Sequence, residues 1–210
     1  NLLNEGKTKN SIFFVGNTMI DTIVAHEKEI NACSILQKLK IENEDFVLMT
    51  MHRPATVDSK AGLLKLIELI RTVTAKYKIV FPIHPRTVKN LKQFALHEKL
   101  VSNNNLILTE PLDYFSFQKL VKSSKFTLTD SGGIQEESTF LRIPCLTLRL
   151  NTERPVTVLE GTNELLPFDV EKVKEKILEI EKGSYKKGKI PELLDGNSTQ
   201  RIVKILSHIM

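Results

Sequence analysis

The sequence predicts an α/β fold, a three-layer domain with a mostly parallel sheet held between helices. Short runs rich in Val, Ile, Leu and Phe alternate with longer amphipathic runs along nearly the whole chain. That is the β-α-β order of a parallel sheet. The apolar runs are short, as buried parallel strands are. With 210 residues, 41% hydrophobic and 26% charged, the chain is long and apolar enough for one large globular domain.

The elements follow in chain order. Residues 11–15 read as the first strand and 17–39 as the helix after it. Residues 46–50 form the second strand. The helix over 58–77 follows, with Leu63, Leu64, Ile67 and Ile70 at helical spacing. Further strands lie at 79–83, 105–108, 126–129 and 144–148, with helical patterns at 87–96, 114–122 and 134–141. Helices over 170–181 and 199–209 close the chain.

Ligands of such sheets bind beyond the carboxyl ends of the strands, and those loops hold the unusual residues. They carry His52 and Arg53, then His84 and Arg86, then Glu110 to Tyr114, then Asp130 to Gly133, then Arg149 to Pro155. Several basic and hydroxyl-bearing loops on one edge point to an anionic ligand. Taken singly, His52 and His84 also suit loop hydrogen bonding, Arg53 and Arg86 suit surface ion pairs, and Arg154 suits a structural bridge. His26, His97 and His208 lie on helical patterns without a partner motif and read as solvent-facing.

The segment Asp130-Ser131-Gly132-Gly133-Ile134-Gln135-Glu136-Glu137 is the most informative. A strand stops at an acid, and a hydroxyl and two glycines lead into a helix. Such a turn presents unpaired N–H groups and the positive end of the helix dipole, and glycines allow close approach. The same residues also describe an ordinary capped helix. Two carboxylates in the first two turns repel phosphate, so at least one of them is expected to face a ribose diol. Neither the Walker Lys-Ser/Thr nor the G-x-G-x-x-G spacing is present.

The net charge of +5 mildly favours anionic ligands. Its densest cluster, Lys182, Lys186, Lys187 and Lys189, sits in a Gly-containing segment and reads as a solvated loop rather than a nucleic-acid patch. Cys33 and Cys145 fit no metal or redox spacing, which suggests a reducing compartment and a cytoplasmic protein. No apolar stretch approaches the ~18 residues of a membrane span, and no secretory signal is visible. The chain opens on Asn1 in a polar stretch. That fits a piece of a longer protein, and fits an engineered or proteolytic start equally well.

Several motifs recur together: Gly16-Asn17-Thr18-x-x-Asp21, Thr50-x-His52-Arg53, His84-Pro85-Arg86-Thr87, Glu110-Pro111-x-x-Tyr114-x-x-Phe117, the Ser-Gly-Gly segment, Thr152-Glu153-Arg154-Pro155, Gly161-Thr162-Asn163, and Asp195-Gly196-x-x-x-x-Arg201-Ile202. In this order and spacing the sequence resembles the UDP-N-acetylglucosamine 2-epimerases, whose non-hydrolysing and hydrolysing branches share the GT-B architecture. The resemblance covers the C-terminal half of such an enzyme. It implies a remnant or hinge at 1–10, a Rossmann-like UDP-binding domain over 11–194, and a helix at 195–210 crossing back to a missing N-terminal domain.

The resemblance further implies inversion at C2 of the sugar. UDP leaves by anti elimination to give a 2-acetamidoglucal, then adds back to give UDP-N-acetylmannosamine; the hydrolysing branch releases UDP and N-acetylmannosamine. The proton-moving carboxylates belong to the N-terminal half. The implied roles here are diphosphate binding by Ser131, Gly132, Gly133 and Arg154, stabilisation of departing UDP by His52, ribose binding by Glu137, and framing of the uracil by Leu112 and Phe117. No metal or other cofactor is implied. The partners implied are UDP-N-acetylglucosamine or UDP, the N-terminal domain and a second copy in a homodimer, with no nucleic acid or membrane. Many family members follow the His-Arg with an acid and an amide, where this chain has Pro54, Ala55 and Thr56. In some bacterial members that acid, together with the positions of Arg53 and His84, binds a second UDP-N-acetylglucosamine as activator. Arg53, His84 and Arg86 are therefore the candidate activator residues, and Ala55 argues against their use. A GT-B glycosyltransferase and a non-catalytic nucleotide-sugar-binding module stay as alternatives.

Overall fold

The computed structural model describes residues 2–209. Asn1 and Met210, the outer ends of the expected hinge and crossing helix, lie outside the described residues. Contacts divide the chain into two units. One runs from Glu27 to Pro191; the other joins the described residues up to His26 with those from Glu192 onward.

The elements after a short 3-10 turn, Lys9–Ser11, are α1 (Thr18–Ala25), α2 (Glu27–Ala32), α3 (Ile35–Leu39), β1 (Phe46–Thr50), α4 (Pro54–Val57) and α5 (Lys60–Thr74). Then come β2 (Lys78–Pro82), α6 (Pro85–Gln93), α7 (His97–Val101), β3 (Leu106–Thr109), α8 (Tyr114–Ser123), β4 (Phe126–Thr129) and α9 (Gly132–Phe140). The last are β5 (Cys145–Leu148), α10 (Pro155–Leu159), β6 (Asn163–Leu166), α11 (Val170–Glu181) and α12 (Ser198–Ile209).

The larger unit is the expected α/β fold. Its six strands are all parallel, in the order β3-β2-β1-β4-β5-β6. Successive strand residues serve opposite faces. Val47, Met49, Ile79, Phe81, Phe126 and Leu128 enter one core with α5, α6, α7 and α11; Phe46, Leu48 and Val80 enter the other with α3 and α8. Both faces being buried is why β1 and the centre of β2 read as unbroken apolar runs. The chain order reverses between β1 and β4, so those two strands flank the topological switch point where such sheets bind ligands.

Two expectations are corrected. Residues 11–15 are not a strand; they pair with none of the six strands, and Phe13 and Phe14 are exposed. An apolar run becomes a strand only where a neighbour takes its ladder hydrogen bonds. The expected helix over 17–39 is three helices, because the backbone leaves the helical region at His26 (φ −111°, ψ 22°) and again after Ala32. In addition β6 was not foreseen. Its Asn163 and Glu164 are poor strand formers, but the buried Asn163 amide is fully hydrogen-bonded.

In the smaller unit the Asp21 carboxylate accepts the backbone N–H groups of Ser198, at 3.0 Å, and Thr199, capping α12 from α1. That contact holds Asp21 below the usual carboxylate range against the opposing effect of burial. Among the described residues no helix is long and apolar enough to cross a membrane.

Candidate functional site

Three short turns set the site's side chains at the sheet's carboxyl edge, and each uses proline at the start of a helix. Pro54, Pro85 and Pro155 open α4, α6 and α10, preceded at the cap by Arg53, His84 and Arg154. Proline suits that position because its fixed φ fits a first helical turn whose N–H has no intrahelical partner.

Asp130 is the hub. It follows the last residue of β4 and is completely buried. Its carboxylate accepts the backbone N–H of His52 at 2.9 Å, the backbone N–H of Arg53 at 2.8 Å and the His52 ring Nδ1 at 3.0 Å. The Arg53 Nε donates back to the Asp130 carbonyl at 2.9 Å. The loop after β1 is thus clamped onto the end of β4 across the switch point. Burial pushes Asp130 up, but these donors outweigh it and hold the carboxyl below its ordinary range. The Asp130 hydrogen bond raises His52, against the effect of its partial burial. With Nδ1 engaged, His52 keeps Nε2 as its outward nitrogen.

The Ser131–Gly133 turn opens α9. Ser131 sits at the cap position in extended conformation, yet its hydroxyl makes no capping hydrogen bond. The first-turn N–H groups therefore keep their donors, which favours the anion-binding form of the turn over the capped-helix form. A Cβ on Gly132 would meet only Glu153 Oε2, at 3.9 Å. The fold does not require glycine there; an approaching ligand would. Gly132→Ala is therefore expected to leave the thermal midpoint nearly unchanged, within about 1 kcal/mol of stability. It should weaken the UDP binding that the resemblance implies at least about tenfold, by putting a methyl over the N–H groups. Calorimetry and thermal unfolding on the same sample check both halves, and unaltered affinity would remove this turn from the site.

Glu136 and Glu137 follow, both buried. Glu136 accepts Arg154 Nε at 2.7 Å, which explains one of the two acids without any ligand. Glu137 is pushed up by burial, opposed by a hydrogen bond from Gln118 and reinforced by Glu136. Nearby Tyr114 is pushed up to about 12, by burial and then by Glu137. α8, which carries Tyr114, Phe117 and Gln118, packs on α9. Leu112 and Phe117 are partly buried against the smaller core cluster.

The three candidate activator residues are engaged inside the chain. Arg53 holds Asp130, and the His84 Nδ1 caps α6 by accepting the Arg86 N–H at 3.1 Å. The Arg86 guanidinium makes a two-pronged pair with Asp58. His84 still lies near His52, with ring centroids 5.8 Å apart. Beside Asp130 opens a cavity of about 470 Å³ lined by Arg53, Ala55, Arg149, Leu150, Asn151 and Phe168 among others. Among the described residues no group of three or more His, Cys, Asp and Glu side chains is placed to hold a metal ion. Asp130 and Glu136 are the residues whose roles the sequence left unassigned. The only signal for Asp130 was an acid ending an otherwise apolar strand.

The family profile described as UDP-N-acetylglucosamine 2-epimerase matches residues 1–207. The UDP-N-acetylglucosamine 2-epimerase of Methanocaldococcus jannaschii is 42% identical over 214 residues, covering 99% of this chain and 58% of that protein. A solved structure of the UDP-GlcNAc 2-epimerase from that organism superposes with a TM-score of 0.84 at 39% identity, covering 99% of this chain and 59% of that one. The Neisseria meningitidis UDP-GlcNAc 2-epimerase bound to UDP-GlcNAc superposes with a TM-score of 0.82 at 30% identity, covering 99% and 58%. The chain thus spans less than two thirds of the length of these relatives.

Proposed function

The chain belongs to the UDP-N-acetylglucosamine 2-epimerase family, and on that premise we propose that it forms the UDP-binding half of an enzyme interconverting UDP-N-acetylglucosamine and UDP-N-acetylmannosamine. The observation that carries the reading is the uncapped, open N-terminus of α9 beside the His52–Asp130 pair, at the switch point of the sheet. Support for the ligand comes from the Methanocaldococcus jannaschii enzyme, described in complex with UDP-GlcNAc and UDP.

Elimination of UDP builds negative charge on the departing diphosphate. Preorganised donors aimed at that charge lower the barrier as well as binding the ground state. The N–H groups of Gly132 and Gly133, the Ser131 hydroxyl and the Arg154 guanidinium supply them. His52, held by Asp130 and with its pKa raised, adds a cation or a proton through Nε2. The buried Glu137 accepts from the ribose diol, and Leu112 and Phe117 border the uracil. The carboxylates that move protons on the sugar come from the N-terminal half. The two free cysteines fit a reducing cytoplasm.

Incubating the full-length protein with UDP-N-acetylglucosamine tests the reading. UDP-N-acetylmannosamine is the expected product. Free UDP with N-acetylmannosamine would place the protein in the hydrolysing branch, and turnover only with a sugar acceptor would make it a glycosyltransferase. With Ala55 in place of the usual acid, and with Arg53, His84 and Arg86 all engaged, the reverse reaction is expected to run without added UDP-N-acetylglucosamine. A sharp fall in its absence would contradict that.

A further inference from the structure

We infer that Gln135 and Thr152 are positioning residues, joined by a closed chain of hydrogen bonds that fixes Arg154 against the Ser131 turn. The inference rests on the reading of Ser131 and Arg154 as diphosphate-binding. Gln135 is fully buried on α9. Its Nε2 donates to the Ser131 carbonyl at 3.1 Å. Its Oε1 accepts the Thr152 hydroxyl at 2.6 Å and the Asn163 amide at 3.1 Å. Having given its proton to Gln135, the Thr152 oxygen accepts the backbone N–H of Arg154 at 2.9 Å.

Asn163 closes the circuit. Its Nδ2 also donates to the Thr157 hydroxyl at 3.1 Å, and its Oδ1 accepts the Thr147 hydroxyl at 2.6 Å. The Thr157 hydroxyl in turn donates to the Arg154 carbonyl at 2.8 Å. Arg154 is held at its N–H, at its C=O and, through Glu136, at its guanidinium. Its backbone (φ −125°, ψ 55°) lies between the extended and helical regions.

The chemistry at each position is restrictive. One atom of residue 152 must donate to an amide oxygen and accept from a backbone N–H, which only a hydroxyl does here. Residue 135 must accept on one atom and donate to a carbonyl on the other. A glutamate would set a carboxylate against the Ser131 carbonyl, and a methionine would offer neither group. Buried networks of this kind are stabilising when complete and costly when broken.

The test uses this chain with Thr152→Val, Thr152→Ser, Arg154→Met and the Thr152→Val/Arg154→Met double variant. UDP affinity is read by calorimetry, and amide hydrogen exchange over 152–157 is read without UDP. Thr152→Val is expected to free the Arg154 amide to exchange and to weaken UDP about tenfold, the worth of one hydrogen bond at a charged site. Thr152→Ser is expected to restore both, and Gln135→Met to repeat the loss. In the Arg154→Met background, Thr152→Val should cost no further affinity, since its effect passes through Arg154. Unchanged exchange in Thr152→Val, or an equal loss in both backgrounds, would overturn the inference. A different pattern marks failure of the underlying reading: the 152–157 amides loosen as expected, but Arg154→Met binds UDP as tightly as the unaltered chain. That result would overturn the proposed consequence for the diphosphate as well. Should valine at 152 prevent folding, Thr152→Ala replaces it, with the same outcomes.

Discussion

Changing His52 to alanine in the full-length enzyme is expected to lower kcat by about two to three orders of magnitude, the worth of one donor to developing charge. Folding should change little, because the side chain is 41% exposed and packs in no core. KM should move less than kcat, since the donor matters most when the diphosphate carries its departing charge. Steady-state kinetics with thermal unfolding on the same variant separates the two, and unchanged turnover would remove His52 from the mechanism. The raised pKa gives a direction for pH. A folded pKa above the ordinary ~6.5 means the imidazolium and its pairing with Asp130 are fully present below that pH. Both are lost as pH rises through the raised value. Turnover should therefore fall on the alkaline side.

Changing Asp130 to asparagine is expected to damage both stability and chemistry. The carboxylate is fully buried and accepts from two backbone N–H groups and one ring nitrogen. An amide keeps one acceptor oxygen and turns an NH2 toward groups that are themselves donors. Leaving one or two of them unpaired in a buried place costs about 2–4 kcal/mol. The Asp130 contribution has the opposite pH sense to that of His52. Its folded pKa is depressed, so its stabilisation is complete above the ordinary carboxylate value of ~3.9 and is lost as pH falls through the folded value. Denaturant unfolding at several pH values should show wild type and Asp130→Asn converging only in acid. In the full-length enzyme the alkaline limb should shift to lower pH in this variant, because His52 loses the partner that raises it. An unshifted limb with normal kcat would mean that His52 does not need Asp130.

The sheet was legible because its strands are buried on both faces. Val47, Leu48 and Met49, or Ile79, Val80 and Phe81, serve alternate faces and are all apolar. That signal failed at residues 11–15, where apolar residues have no strand partner, and at β6, where polar residues do. The Ser-Gly-Gly segment was legible as a strand-to-helix junction, since an apolar run gives way there to glycines and then to a helical pattern. The partners of the site were not. Asp130 clamps the loop after β1 only because the chain returns to place β4 beside that strand, and no spacing in the sequence records that adjacency. Glu136 likewise finds Arg154 only once β5 and the loop after it have folded back, so one of the two neighbouring acids tethers an arginine that its spacing in the sequence does not reveal.

A titration of the isotopically labelled chain with UDP, followed by NMR at each amide, bears on the proposed cradle before any other experiment. Saturable binding is expected, with the largest shifts at Gly132, Gly133 and the turn around Arg154, and with no turnover of UDP-N-acetylglucosamine by this chain alone. Saturation with the shifts elsewhere on the sheet, or epimerisation by this chain without an N-terminal half, would contradict the placement of the UDP site and of the chemistry.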